Sequence, residues 1–156
     1  MTQMAPTRPY RFPVLPLPVA RHAFRMPLLA DLTASASARA VIENVIRAWR
    51  VPVDADVAVL LTSELVTNAI RHEQGDTITV VITCAYGQLH VDVHDTSCTL
   101  PVPMDGPPDA ETGRGLVLVA SLSSSWGYYR TTTGKAVYFT LAFQDGLAEE
   151  AGSSGE

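Results

Sequence analysis

The sequence predicts an α+β fold, a two-layer α/β sandwich with helices on one face of a mostly antiparallel sheet. Hydrophobic periodicity gives the order strand, two helices, two strands, long loop, helix and two strands. A short turn containing glycine joins each of the last two strand pairs, as in antiparallel hairpins. The chain of 156 residues is 47% hydrophobic, which suits one globular domain with a core.

Charge and cysteine content exclude several classes of function. The net charge of −5 and the absence of a basic run argue against a nucleic-acid-binding protein. Cys84 and Cys98 lack the spacing of a metal or redox site, which favours a reduced protein in the cytoplasm. No apolar stretch has the length of a membrane span, and arginines interrupt any signal-peptide pattern near the N-terminus.

The two ends of the chain differ in composition from its centre. Residues 1–20 contain five prolines, which forbid a helix and predict an extended or flexible segment. Residues 144–156 are small and polar, which predicts a flexible tail. The folded domain is therefore expected over residues 21–143.

The first half of the domain reads as a strand followed by two helices. Residues 22–28 fit a short strand, and Asp31 or Thr33 can cap a helix that runs to about residue 50. A second helix is expected over residues 54–72, with acidic residues in its first turn, where the helix dipole favours them.

Two alternating segments follow, over residues 77–84 and 89–95. In the second of them Leu89, Val91 and Val93 point toward the core. Continuing the alternation makes Asp95 point inward too.

The remaining third begins with a loop over residues 96–113 that contains four prolines. Long loops inside compact domains are often functional. A short helix is expected over residues 114–122, and strands over 125–131 and 135–143 form the last hairpin.

Three polar residues are predicted to face the core. At about 100° per residue, Glu64 and Asn68 fall inside the apolar stripe of their helix, and Asp95 lies on the inward row of its strand. Burying an unpaired carboxylate or amide costs several kcal/mol. One such group alone would be read as a satisfied core residue, whereas three that converge favour a binding cleft.

The chemistry of these groups indicates the ligand. The amide oxygen of Asn68 is a hard donor suited to Mg²⁺. Glu64 lies one turn earlier and is placed to orient a water or hydroxyl. Asp95 can accept a hydrogen bond from an exocyclic amine. With a phosphate site, this combination describes Mg·ATP.

A phosphate site is predicted where the third helix begins. Free N–H groups and the positive end of the dipole favour anions there, and glycine permits close approach. Two glycines at this spacing are also common in loops of purely structural origin, and the arginine between them would then be a solvated helix-start residue. The residues concerned are Gly113, Arg114, Gly115 and Leu116.

A second polar cluster is predicted on the other face of the sheet. His90, Asp92 and His94 alternate with the inward row. A metal site is one interpretation, but an exposed polar strand face is favoured.

Three segments in this order resemble the ATP-binding domain of the GHKL superfamily of histidine kinases, gyrase and the heat-shock chaperone. They are residues 64–69 (ELVTNA), 91–95 (VDVHD) and 113–119 (GRGLVLV). The compact size and the pattern over residues 115–138 most resemble the anti-sigma-factor serine kinases and their actinobacterial relatives. The resemblance covers about residues 21–143 and implies a Bergerat-type ATP-binding fold.

The resemblance also implies roles for individual residues. Asn68 matches the Mg²⁺-binding asparagine, Glu64 the glutamate assigned as general base, and Asp95 the aspartate that reads the adenine amino group. Residues 113–116 match the second glycine box, at the phosphates beneath a lid formed here by residues 96–112. The implied partners are a sigma factor and an antagonist protein that is phosphorylated on serine. The family also allows a homodimer, which no pattern in this sequence indicates.

Departures from the family pattern leave two hypotheses open. Ser97 and Thr99 stand where the superfamily has glycines after the adenine-reading aspartate, and Ala136 stands where a threonine is expected near the adenine. The intact Glu64 and Asn68 favour a Mg·ATP-dependent serine kinase. The departures favour a switch protein that binds its partner with weak nucleotide binding or none.

Overall fold

We describe a computed structural model over residues 22–72, 75–97 and 111–144, the side chains of residues 111–114 excepted. The predicted N-terminal segment, C-terminal tail and most of the predicted lid, including Cys98 and Thr99, lie outside these residues.

The predicted order of elements is confirmed, and most boundaries agree within two residues. The largest difference is in the third helix, which begins three residues earlier than expected. Its glycines therefore lie within the first turns of the helix rather than before it. The elements are β1 (His22–Leu29), α1 (Ala34–Trp49), α2 (Ala55–His72), β2 (Thr77–Ala85), β3 (Gln88–Asp95), α3 (Glu111–Leu122), β4 (Ser125–Arg130) and β5 (Lys135–Ala142).

The five strands form one sheet in the order β1-β2-β3-β5-β4, and every neighbouring pair is antiparallel. The central strand is β3, where Val91 lies opposite Ile82 of β2 and Phe139 of β5. All three side chains are fully buried. The predicted α+β sandwich with an antiparallel sheet is therefore confirmed.

The helices cover the face of the sheet that carries this buried row. Helix α2 is the central helix, because it contacts α1, α3, β3 and β5. Its apolar stripe includes Ala58, Leu61 and Leu65, each at most 1% exposed. Burying a leucine side chain contributes roughly 1.5–3 kcal/mol, so this stripe fixes α2 against the strands that end at the predicted site.

Local hydrogen bonds explain where the first two helices begin. The Asp54 carboxylate accepts from the backbone N–H of Asp56 at 2.9 Å and of Val57 at 3.2 Å, which caps α2. Helix α1 follows Thr33, whose side chain makes no capping bond. Asp31 instead accepts the Thr33 backbone N–H at 2.8 Å and orders the turn before the helix.

None of the helices in the described ranges combines the length and apolar character that crossing a membrane requires.

Candidate functional site

Helix α2 carries Glu64 and Asn68 one turn apart, on the side that packs against the rest of the domain. Leu65 between them is 1% exposed, Asn68 is 8% exposed, and Glu64 is half-buried. A spacing of four residues stacks two side chains on one helical face. The predicted burial of polar groups in this helix is thus observed.

The side-chain amide of Asn68 is buried without a partner. Within the described residues its Nδ2 atom has no hydrogen bond. An unsatisfied buried donor costs about 1–3 kcal/mol of stability. Such a group is readily explained by a ligand that completes its hydrogen bonding.

Gly115 lies directly against the Glu64 carboxylate. A Cβ atom at this position would collide with Glu64 Oε2 and lie 3.4 Å from its Cδ. Glycine therefore leaves the space that the carboxylate occupies, and a side chain here would require the carboxylate to move. The neighbouring Leu116 is 3% exposed and anchors α3 in the core.

The start of α3 brings backbone N–H groups to the same region. The first four N–H groups of a helix have no partner within it, and in α3 these belong to residues 111–114. Gly115 is the next residue, so the carboxylate of Glu64 lies beside this helix terminus. The structure thus brings together the predicted acid and the predicted phosphate-binding segment.

Asp95 points inward at the end of β3, as predicted, and is paired with Lys135. The Lys135 ammonium donates to Asp95 Oδ1 at 3.2 Å and lies 3.1 Å from Oδ2. Both side chains are 0% exposed. A buried ion pair of this kind is strongly destabilising to break, because one charge is then left uncompensated.

Ser97 holds the same carboxylate from the other side. Its backbone N–H donates to Asp95 Oδ1 at 2.8 Å, and the residue is 1% exposed. Among the described non-glycine residues, positive φ angles occur only at Arg50 and Tyr86. Ser97 therefore has a backbone conformation that needs no glycine, which explains how serine replaces the glycine of the family pattern.

Lys135 is the site residue that the sequence interpretation missed. The sequence interpretation considered Ala136 in this strand, as the residue at the place of the family's threonine near the adenine. The β3–β5 register places Ala136 opposite His94 and Lys135 opposite Asp95. The alternation of β5 could have identified Lys135, because this residue lies on the same row as Val137 and Phe139, which point inward.

The turn before β5 keeps Asp95 and Lys135 next to each other. A Cβ atom on Gly134 would overlap the Asp95 carbonyl oxygen and lie 2.6 Å from the Cα of Thr96. The backbone that enters β5 therefore packs directly on the backbone that leaves β3, which holds the Asp95 and Lys135 side chains side by side.

The other face of the sheet carries the second polar cluster. Asp92 accepts a hydrogen bond from the Tyr129 hydroxyl at 3.2 Å and lies 3.1 Å from His90 Nε2. The His90 ring stacks on Tyr138 with centroids 5.0 Å apart. Over residues 22–72, 75–97 and 111–144, no group of three or more potential metal ligands is assembled. The expected exposed polar face is only partly observed, because Asp92 is 8% exposed and both histidines are half-buried.

Two ionisable groups of this face are perturbed by partial burial. Burial is the largest cause that raises the pKa of Tyr129 to about 12, and the negative charge of Asp92 adds to it. Burial is also the largest cause that lowers the pKa of His94, against the opposing charge of Asp92.

A separate cavity lies at the opposite end of β3. It has a volume of about 100 Å³ and contains none of the predicted site residues. Trp49, Cys84 and Phe143 are among the side chains that line it. This cavity is therefore separate from the residues predicted from the sequence, which lie toward the Asp95 end of the sheet.

The comparisons with known proteins agree with this architecture. The RsbU and RsbW domains of Rv1364c from Mycobacterium tuberculosis, a crystal structure, superpose with a TM-score of 0.56 at 19% identity. The match covers 78% of this chain and 32% of that one, so the chain spans about a third of that structure, and the likeness concerns the fold. None of the curated proteins matches the sequence.

A family model covers most of the folded residues. The model of the histidine kinase-like ATPase domain matches residues 28–141. This range begins near the end of β1, stops one residue before the end of β5 and includes every candidate site residue described above. The chain therefore belongs to the histidine kinase-like ATPase domain family.

Proposed function

We propose that the protein binds Mg·ATP in the seam between α2, α3 and β3 and transfers the γ-phosphoryl group to a serine of an antagonist protein. In this proposal it is a cytoplasmic regulator that also sequesters a sigma factor. The observation that carries the proposal is the Glu64 carboxylate held against Gly115, one turn from the buried and unpartnered Asn68 amide.

The residues present fit a magnesium nucleotide. The Nδ2 atom of Asn68 lacks a partner within the described part of the chain, and a phosphate oxygen would satisfy this donor. The side-chain oxygen of Asn68 is the kind of ligand that Mg²⁺ accepts. The Gly115 backbone leaves no side chain between Glu64 and α3. The N-terminal amides of α3 would hold phosphate oxygens. The ion supplies neutralisation of phosphate charge when it is bound.

Glu64 is the candidate catalytic residue. Its carboxylate would accept the proton of the acceptor serine while the serine oxygen bonds to the γ-phosphorus. The bond between that phosphorus and the β–γ bridging oxygen breaks, and ADP leaves. Half-burial of Glu64 suits this role, because the carboxylate is held in place and still reaches an incoming hydroxyl.

The partners are proposed from the resemblance of the motifs to anti-sigma-factor serine kinases. The fold shared with a structure that contains an RsbW domain supports the same class. The net charge of −5 is in keeping with protein partners rather than nucleic acid.

The kinase proposal is tested by phosphoryl transfer. Radiolabelled ATP, Mg²⁺ and candidate antagonist proteins should give label on serine with the wild-type protein. Glu64→Gln should lower the rate by about 10²–10⁴-fold, the usual contribution of a general base, while nucleotide binding persists. Asn68→Ala should lower nucleotide binding, and Tyr129→Phe on the open face serves as the control. Nucleotide binding without transfer to any cognate antagonist would refute the kinase function.

One observation favours a second candidate, a partner-binding switch that works without nucleotide. The Asp95 carboxylate is already compensated by Lys135 and Ser97, so its burial does not require an adenine. In this case Asn68→Ala would leave capture of the sigma factor or antagonist unchanged in a binding assay. Loss of partner capture together with ATP binding in this variant would exclude the switch.

A further inference from the structure

Lys135 is the only lysine in the sequence, and its ammonium group is incompletely used. An ammonium carries three N–H donors. Within the described residues its one partner is Asp95, with contacts of 3.2 Å to Oδ1 and 3.1 Å to Oδ2. At most two donors are therefore engaged, although the side chain is 0% exposed. A buried charge is tolerated best when its remaining donors also have partners.

We propose that Lys135 reads the N1 atom of the adenine base, beside the amino group that Asp95 binds. This inference rests on the proposed function and adds a second base-reading residue to it. The edge of adenine presents an amino donor at position 6 and an acceptor nitrogen at position 1. A carboxylate and an ammonium with a spare N–H, side by side, complement these two atoms.

The order of the two groups selects the base. With its 6-position at Asp95 and its 1-position at Lys135, adenine pairs a donor with the carboxylate and an acceptor with the ammonium. Guanine carries a carbonyl oxygen at position 6 and an N–H at position 1, so both contacts would be repulsive in the same pose. Lys135 therefore contributes specificity for adenine as well as affinity.

The surroundings hold both groups in advance of binding. Lys135 and Asp95 are direct partners in the β3–β5 register, and the next inward pair, Val93 and Val137, is apolar and buried. The Ser97 N–H fixes the carboxylate, at 2.8 Å from Oδ1. A donor and an acceptor fixed before binding lose little conformational entropy when a ligand arrives.

The test uses isothermal titration of the full chain with Mg²⁺ and either ADP or 1-deaza-ADP, in which a C–H replaces N1. Loss of a hydrogen bond to a charged donor costs about 1.5–3 kcal/mol, and 1.4 kcal/mol is a factor of about ten in affinity. The wild-type protein should therefore bind ADP at least about tenfold more tightly than 1-deaza-ADP.

Replacement of Lys135 should remove this discrimination. Lys135→Met should bind the two nucleotides within about twofold of each other. This variant leaves the buried Asp95 carboxylate without its counter-charge. Asp95→Asn combined with Lys135→Met therefore provides a neutral pair that keeps an acceptor for the amino group, and it should show the same loss of discrimination. Tyr129→Phe, on the other face, should keep the wild-type ratio. Circular dichroism confirms that each variant is folded.

Each contrary result has a distinct meaning. Equal binding of the two nucleotides by the wild-type protein overturns the reading of N1 but leaves the proposed function intact. A gain in ADP affinity in Lys135→Met also overturns it, because the ammonium would then compete with the base. Failure of the folded wild-type protein to bind either nucleotide refutes the proposed function and this inference together.

Discussion

Both faces of the sheet carry clustered polar side chains, but the hydrogen-bonding groups of the two clusters find partners to different extents. On the helix-covered face, the Asn68 amide has no partner within the described residues, and Lys135 keeps a spare donor while wholly buried. On the open face, Asp92 accepts from Tyr129 and lies against His90, which is 35% exposed in its side chain. Solvent therefore reaches part of the open-face cluster, whereas the Lys135 ammonium and the Asn68 Nδ2 atom are buried.

This difference separates the proposed ligand site from a polar surface. Polar groups that reach solvent need no further explanation, whereas buried groups with unused hydrogen-bonding capacity persist at a cost to stability. The proposed nucleotide binding would explain why such groups are retained at the helix-covered end. The open-face cluster contains similar residue types, but its hydrogen bonds and ring contacts are made between side chains of the sheet itself.

The largest expected effect is on the free energy of unfolding, and it compares the two faces of the sheet directly. Asp95→Ala leaves Lys135 buried without its counter-charge, so the free energy of unfolding should fall by about 3–5 kcal/mol. Asp92→Ala, whose partners reach solvent, should lower it by only about 1 kcal/mol. Urea unfolding measures both. Equal losses of unfolding free energy in the two variants would contradict the contrast between the two faces.

A smaller effect is expected where α3 meets Glu64. Alanine in place of glycine stabilises a helix by about 1 kcal/mol, but Gly115→Ala brings a Cβ against the Glu64 carboxylate. The substitution should therefore stabilise the protein only in a Glu64→Ala background. A double-mutant cycle on unfolding free energies should give a coupling of about 1 kcal/mol, and additive effects would contradict the contact.

The smallest effect concerns His94 on the open face. Burial lowers its pKa below the ordinary value of 6.5, so below about pH 6.5 the unfolded chain binds a proton that the folded protein does not. Stability should fall as the pH falls through 6.5, until the folded pKa is passed. His94→Gln should show a smaller loss between pH 7.5 and 5.5. An NMR titration midpoint for His94 at or above 6.5 would disprove the shift.

The sequence predicted the fold well because each element has its own strong periodicity. Ile78 to Val93 alternate over two strands, and Leu61 and Leu65 define the stripe of α2, so local pattern is sufficient there. The start of α3 was misplaced because the segment before Gly113 is rich in proline and glycine and has no periodicity to read.

The sequence predicted only those candidate site residues whose position follows from a single helix or strand. Glu64, Asn68 and Asp95 follow from the face that each residue occupies on its own helix or strand. The Asp95–Lys135 pair depends on the register of strands whose paired residues are 40 positions apart. A shift of one residue in that register would have placed Ala136 opposite Asp95 instead, and no local pattern decides between them.

The seclusion of Lys135 has a practical consequence for chemical labelling. Because the sequence contains no other lysine, this residue is the sole side-chain target for acylating reagents. Its amine is 0% exposed, so in the folded protein such reagents should leave it unmodified until the seam opens. The rate of its acylation, read by mass spectrometry, would then report opening of the site directly, without an added probe.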